Sequence, residues 1–392
     1  MPTEQPSPAS ADALPRAWDV IVIGAGVLGT FHAYFAARKG LRTLLIERGD
    51  EPQEASVRNF GTLVPSAMTP GQWLDRAKAS IEIYKALAEQ VRLPLTCRGT
   101  QYLATTPGEL GVLEEFSRVG PRRGYRCEIL GGDESVKCNP AIEPASCLGS
   151  LYFPDDCRIE PRGLFGRMIP WMSRELPCTF LRRTVAIDVS LDHSDCRVTV
   201  AGGGTFRAGH VFVCGGADFR TLFPQKLSSA GLVRCKLQML RTAPQRSCII
   251  GPTIASGLSI RWYSSFRICR KWGDLQDQAS DPDVSHRGIH ILMVQDANGK
   301  VVIGDSHEYS PGDLLDESDA AVEACILREA RRLARLQTWE VSERWLGIYS
   351  LHPDQPLFRE SIDGRIHLIT GIGGKGMTTG PAVARESIDA IT

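Results

Sequence analysis

Val20-Ile21-Val22-Ile23 is a β-branched run with no polar break, the pattern of a parallel strand buried on both faces. Gly24-Ala25-Gly26-Val27-Leu28-Gly29 interrupts it, and from Thr30 to Lys39 the positions Phe31, Ala33, Tyr34 and Ala37 give a helix its packing side, with Gly40 as the stop. Thr43-Leu44-Leu45-Ile46 reads as a second strand and ends in Glu47. Farther along, residues 183–187, 197–200, a glycine-rich turn at 202–204 and Phe206 suggest a small antiparallel ribbon. It leads into His210-Val211-Phe212-Val213-Cys214-Gly215-Gly216-Ala217, an apolar strand expected to return beside the first one. Residues 232–241, 258–269, 288–296 and 300–306 read as strands, with Asn298-Gly299 as a hairpin turn. Ser318 to Leu336 has the apolar stripe of an amphipathic helix. Near the end, the strand Ile366–Thr370 runs into a second glycine-rich loop, Gly371 to Thr379, that opens a helix expected from about Pro381 to Ile391.

The first fifty residues carry a chemistry. Gly24 permits a tight turn, Gly26 lets the backbone approach a pyrophosphate, and Gly29 lets helix and strand pack closely. The free N–H groups and positive end of the helix can then hold the diphosphate. Glu47 is placed to accept hydrogen bonds from both hydroxyls of an adenosine ribose, and it would repel a 2′-phosphate, which disfavours NADP. A bare G-x-G-x-x-G often marks only a turn; a preceding strand, a following helix and an acid after the second strand point to an adenine dinucleotide.

Composition narrows the class. The 392 residues suggest two domains, or one with a large insertion. Forty-five basic side chains balance forty-five acidic ones, so no global field draws in nucleic acid or an anionic membrane. No apolar run approaches the ~18 residues needed to cross a bilayer. The twelve cysteines are dispersed without a Cys-x-x-Cys pair, which reads as buried small hydrophobes in a reducing, cytoplasmic compartment, with no disulfide framework and no metal site. Residues 1–17, rich in Pro, Ser and Ala, look like a disordered leader.

Together these pieces resemble the D-amino acid oxidase family of flavoproteins, which includes glycine oxidase and sarcosine oxidase. The resemblance covers most of the chain from Asp19 onward. Within it, Ser56-Val57-Arg58-Asn59-Phe60-Gly61, Lys236-Leu237-Gln238-Met239, residues 261–266, Gly304-Asp305-Ser306-His307-Glu308-Tyr309 and residues 373–378 look like a narrower branch associated with phosphonate catabolism. The implied fold class is α/β, with a glutathione-reductase-type Rossmann-like FAD domain and an α+β substrate domain on an antiparallel sheet. By the family's pattern the FAD domain is discontinuous, made of 18–100, 145–233 and 340–392, and the substrate domain comprises 101–144 and 234–339. Residues 152–161 fit the crossover between them.

The resemblance implies an FAD cradle of Gly24, Gly26, Val27, Leu28, Gly29, Glu47, Arg48, Ser56, Val185, Gly215, Gly216, Gly373, Gly374, Gly376, Met377 and Thr378. Sarcosine oxidase carries a flavin-bonding cysteine near a stretch that here has Gly347, and no Cys follows residue 325, so non-covalent FAD is expected. It also implies hydride transfer from the amine α-carbon to flavin N5, with O2 as acceptor and an imine that hydrolyses. The implied partners are a small-molecule amine and oxygen.

Arg58 could hold an anionic head group, bond the cofactor, or be a solvated surface side chain. Arg261 and Tyr263 alternate on an expected strand, which would put a guanidinium and a phenol on one side. His307 and Tyr309 share the same spacing. The stretch Trp345 to Asp354 aligns with the amino acid oxidases' Trp-x-Gly-x-Arg-Pro, whose Arg grips the substrate carboxylate; here that place is Tyr349. This departure argues against a simple α-amino acid and moves the anion-binding duty to Arg58, Arg261 and Lys375. The expected substrate is 2-aminoethylphosphonate or its N-methyl or 1-hydroxy derivative, whose tetrahedral head group takes donors from several directions. Two alternatives within the fold are a glycine- or sarcosine-type oxidase and an amine dehydrogenase passing electrons to a carrier; a flavin-binding protein without turnover is a third.

Overall fold

In a computed structural model the chain is described over residues 17–278, 281–314 and 316–392, so residues 1–16 of the expected leader lie outside the described residues. Ala17 already opens the first strand, β1 (Ala17–Ile23), whose Val20, Ile21 and Val22 are at most 1% exposed. β1 pairs in parallel with β2 (Thr43–Ile46) on one side and with β12 (Thr205–Val213) on the other. The glycine-rich turn therefore emerges at the same sheet end as Cys214-Gly215-Gly216. Beyond β2 lies β9 (Cys178–Leu181), and β20 (Ile366–Thr370) joins β12 in parallel with β19 (Phe358–Ile362) outside it. The ribbon of β10 (Ala186–Asp192) and β11 (Asp195–Val200) completes this eight-stranded sheet.

A nine-stranded sheet forms the second layer system. Its order is β17 (Glu308–Ser310), β13 (Val233–Thr242), β16 (Val301–Gly304), β15 (Leu292–Gln295), β14 (Thr253–Ala255), β5 (Thr100–Ala104), β7 (Gly149–Phe153) and β6 (Glu128–Gly131), with β18 (Val341–Leu351) also paired to β13. β7 and β18 fall in 145–233 and 340–392, the ranges expected in the FAD domain, yet their hydrogen bonds lie in this sheet. β3 (Thr62–Leu63), β8 (Cys157–Ile159) and β4 (Leu95–Thr96) make a small third sheet. Cys97 and Cys157 are disulfide-bonded there, which corrects the expectation that every cysteine is free: neighbouring chain segments bring together two residues 60 apart in sequence.

The helices are α1 (Val27–Arg38), α2 (Gln72–Val91), α3 (Pro107–Val119), α4 (Gly132–Cys138), α5 (Pro161–Glu175), α6 (Pro224–Ser229), α7 (Gly257–Trp262), α8 (Lys271–Gln276), α9 (Pro282–His286), α10 (Ala320–Leu333) and α11 (Gly376–Asp389). α1 is buried nearly all round, between the first sheet, α11 and α5. α11 starts five residues before the expected Pro381. Proline lacks the N–H that would bond the Met377 carbonyl, but the Tyr84 hydroxyl on α2 donates to that carbonyl at 2.9 Å, so the helix runs through. Among the described residues no helix is long and apolar enough to cross a membrane.

Residues 258–269, expected as a strand, form α7 and a 3-10 turn at Ser264–Ile268. Ser256 caps α7 by accepting from the Ser259 N–H at 3.3 Å. Ile260 and Phe266 are fully buried, so apolar content that resembled a strand serves a helical register.

Candidate active site

A cavity of about 1410 Å³ runs along the sheet end where β1, β2 and β12 finish and continues under the nine-stranded sheet. It exceeds the ~300–1,000 Å³ of a site for one drug-sized ligand, leaving room for a dinucleotide together with a small molecule. At one end Gly24 turns at φ +93°, where a Cβ would lie 2.5 Å from the Cys214 carbonyl oxygen. Gly29 packs under the same turn, its Cβ position 1.7 Å from the Gly24 carbonyl oxygen. Gly29 is the one expected cradle residue that does not line the cavity.

The α1 N-terminus has no side-chain cap from Gly26; instead the Ser56 hydroxyl accepts from the Val27 N–H at 2.9 Å. Glu47 accepts from the N–H of Ala25 and of Gly49 at 2.8 and 3.0 Å, which fixes its carboxylate beside the turn with lone pairs left over. Arg48 is paired with Glu54 and Asp218. Val185, Gly215 and Gly216 line the neighbouring wall, and Gly373, Gly374, Lys375, Gly376, Met377 and Thr378 bring the second glycine-rich loop onto it. A helix N-terminus with a carboxylate beside it, both opening onto a long cavity, gives donors and acceptors that fit FAD.

The sheet-derived wall differs in character. Trp262, Tyr263, His290, Asp305, His307, Tyr309 and Tyr349 all face the cavity. Tyr309 and Tyr349 are directly opposite Cys235 on its two neighbouring strands, so the three side chains form a row across β17, β13 and β18. His307 stacks on Tyr309, with ring centroids 6.2 Å apart, and packs against Trp262 at 4.2 Å.

Of the expected substrate-binding cations, two reach the cavity. Arg58 lines it, with Nε donating to the Gln53 carbonyl at 2.7 Å and Nη1 to the Leu346 carbonyl at 3.2 Å. Lys375 lies with Nζ 5.9 Å from the Trp73 ring centre, and burial lowers its pKa. Arg261 does not reach it: on α7 its guanidinium donates to the Leu275 carbonyl, away from the cavity. The helical turn that corrects the strand expectation separates Arg261 from Tyr263 and puts Trp262 and Tyr263 on the wall instead.

His290 and Asp305 stand on the same wall although neither is among the expected site residues. Both are buried, at 3% and 7% exposure, and they approach each other with Nε2 and Oδ1 3.4 Å apart. The available signal was polar residues inside apolar segments, 288–296 and 300–306, where a strand buried on both faces should hold none.

Residues 19–390 match the family described as FAD dependent oxidoreductase, DAO. The chain belongs to that family. As an FAD-dependent oxidoreductase it is similar to a glycine oxidase of Bacillus licheniformis, 24% identical over 388 residues, covering 96% of this chain and 93% of that protein. Among solved structures, glycine oxidase from Geobacillus kaustophilus superposes with a TM-score of 0.75 at 19% identity, covering 96% of this chain and 95% of the other. L-proline dehydrogenase from P. horikoshii gives 0.77 at 16% identity, covering 97% and 94%. At these identities the structural likeness speaks for the shared fold.

Proposed function

We propose that this FAD-dependent oxidoreductase oxidises the amine of a small aminophosphonate, 2-aminoethylphosphonate or its N-methyl or 1-hydroxy derivative, with O2 as acceptor. The observation that carries the reading is Tyr349: the position aligned with the amino acid oxidases' carboxylate-binding Arg holds a phenol, and that phenol lines the cavity. Two of the cations on the wall, Arg58 and Lys375, stand on separate segments and suit a head group that takes donors from several directions better than one bidentate carboxylate. Bound FAD supplies the hydride acceptor and, on reoxidation by O2, yields hydrogen peroxide. The chain's part is to seat the anion, orient the amine α-carbon and exclude water with the aromatic wall of Trp262, Tyr263, Tyr309 and Tyr349. Attachment is non-covalent in this reading, since residue 347 is glycine and no cysteine follows residue 325.

The full-length similarity to a glycine oxidase favours a second reading, oxidation of glycine or sarcosine. One experiment separates them: anaerobic mixing of the yellow protein with 2-aminoethylphosphonate, its N-methyl and 1-hydroxy derivatives, glycine and sarcosine, following flavin absorbance. Reduction by the phosphonates alone, with peroxide on admitting air, supports the proposal; reduction by glycine or sarcosine alone overturns it.

A further inference from the structure

His290 lies just before β15, and Asp305 and His307 lie in the short connection between β16 and β17; their facing nitrogen and carboxylate atoms lie within 4.8 Å of one another. All three side chains line the cavity and all three are buried. The outer nitrogens are already engaged: His307 Nδ1 donates to the Gly288 carbonyl at 2.8 Å, and His290 Nδ1 lies 3.2 Å from the Ser259 hydroxyl. A carbonyl only accepts, so neutral His307 carries its proton on Nδ1 and presents a lone pair at Nε2. Asp305 Oδ1 is buried without a hydrogen-bond partner, and among the described residues no Lys or Arg forms an ion pair with Asp305. The other titratable groups that face it are Cys235 on β13, Tyr263 after α7, Tyr309 on β17 and Tyr349 on β18, each neutral near pH 7.

We propose that Asp305, flanked by His290 and His307, is the acceptor that takes the substrate's ammonium proton before oxidation. The inference rests on the amine reading above. An ammonium nitrogen has no lone pair to form the C=N bond as hydride leaves the α-carbon, so its proton must leave first. In the step one N–H bond breaks, its electron pair stays on nitrogen, and the proton forms an O–H bond on the Asp305 carboxylate. The protonated carboxyl then donates to His290 Nε2, and the flanking imidazole lone pairs favour the protonated form. Burial acts the same way, pushing the Asp305 pKa up to about 8 and His307 down to about 4. A carboxylate so raised is a base matched to a free amine's acidity, as an ordinary carboxylate is not.

The test joins a rate to a spectrum. Anaerobic flavin reduction at saturating amine is expected to rise with pH along a limb centred near 8, and Asp305→Asn to slow it at least ~100-fold and flatten that limb. His307→Gln, which keeps a polar group at that site, is expected to shift the limb to lower pH. Infrared difference spectra of the holoprotein, wild type minus D305N, are expected to show a protonated carboxyl C=O band that titrates over the same range without any substrate. A D305N rate within threefold of wild type with an unchanged profile overturns the proposal, and so does the missing band, or one equivalent of transition metal retained by the wild type and lost in D305N. If no amine reduces the wild-type flavin, the amine reading fails by itself, and the infrared band still reports on Asp305.

Discussion

The carboxylate of Glu47 accepts a hydrogen bond from the backbone N–H of Ala25 at 2.8 Å, tying the end of β2 to the glycine-rich turn that follows β1. The same group thus sets the turn and offers its remaining lone pairs to a ribose. Glu47→Gln keeps the shape but loses the charge and half of the acceptor capacity. Its dissociation constant for FAD is expected to rise about tenfold, ~1.4 kcal/mol, as measured by flavin fluorescence on titrating the apoprotein. An unchanged constant would remove Glu47 from the cradle.

Gly29 and Gly26 separate packing from binding. A methyl group at 29 meets the Gly24 carbonyl oxygen at 1.7 Å, and backbone cannot yield as a side chain can. At 26 the nearest atom is the Ser56 hydroxyl at 3.0 Å, which can rotate away. Gly29→Ala is therefore expected to destabilise the fold by more than the ~1–3 kcal/mol of ordinary overpacking or to prevent folding. Gly26→Ala is expected to fold and to bind FAD more weakly. Thermal melts with flavin content measured in parallel check both; equal stability losses would refute the distinction.

The two glycine-rich loops and the acid after β2 were legible because each is local: a turn, a helix start and a strand end lie within a few residues. The site's other wall was legible only in part. Tyr263, His307 and Tyr349 do line the cavity, but the two-residue alternation that pairs Arg261 with Tyr263 is converted to a helical turn by the Ser256 cap and the buried Ile260. His290 and Asp305 meet only because β15 and β16 pair in a register that sets Leu292 opposite Gly304. That register is a long-range fact no single segment carries.

Lys375 is buried near Trp73, where an unpaired ammonium is costly, so an anion in the cavity would relieve it. Lys375→Met removes the charge and keeps most of the stem. If the lysine seats the substrate's head group, KM for an aminophosphonate is expected to rise at least tenfold, while a neutral amine of the same chain length is affected less than threefold. Equal effects on both would assign Lys375 to the flavin side of the reaction.

His32 titrates in a place the chemistry does not use. It lies fully buried on α1, with Nδ1 on the Leu28 carbonyl at 2.7 Å and Nε2 without a partner, and burial pushes its pKa down to about 4. The unfolded chain takes up this proton near pH 6.5 and the folded one does not, so stability is full above about 6.5 and falls as pH drops toward 4. Asp156 works in the opposite sense: burial raises its pKa to about 7, so acid relieves a penalty present at neutral pH. The wild type alone therefore gives a mixed profile, and the variant His32→Leu isolates one sign. Relative to it the wild type is expected to lose up to ~3 kcal/mol between pH 6.5 and 4, read as a steeper fall in melting temperature of the holoprotein. Parallel profiles over that range would mean that His32 gains its proton without unfolding, through an opening of α1 that the packed helix does not show.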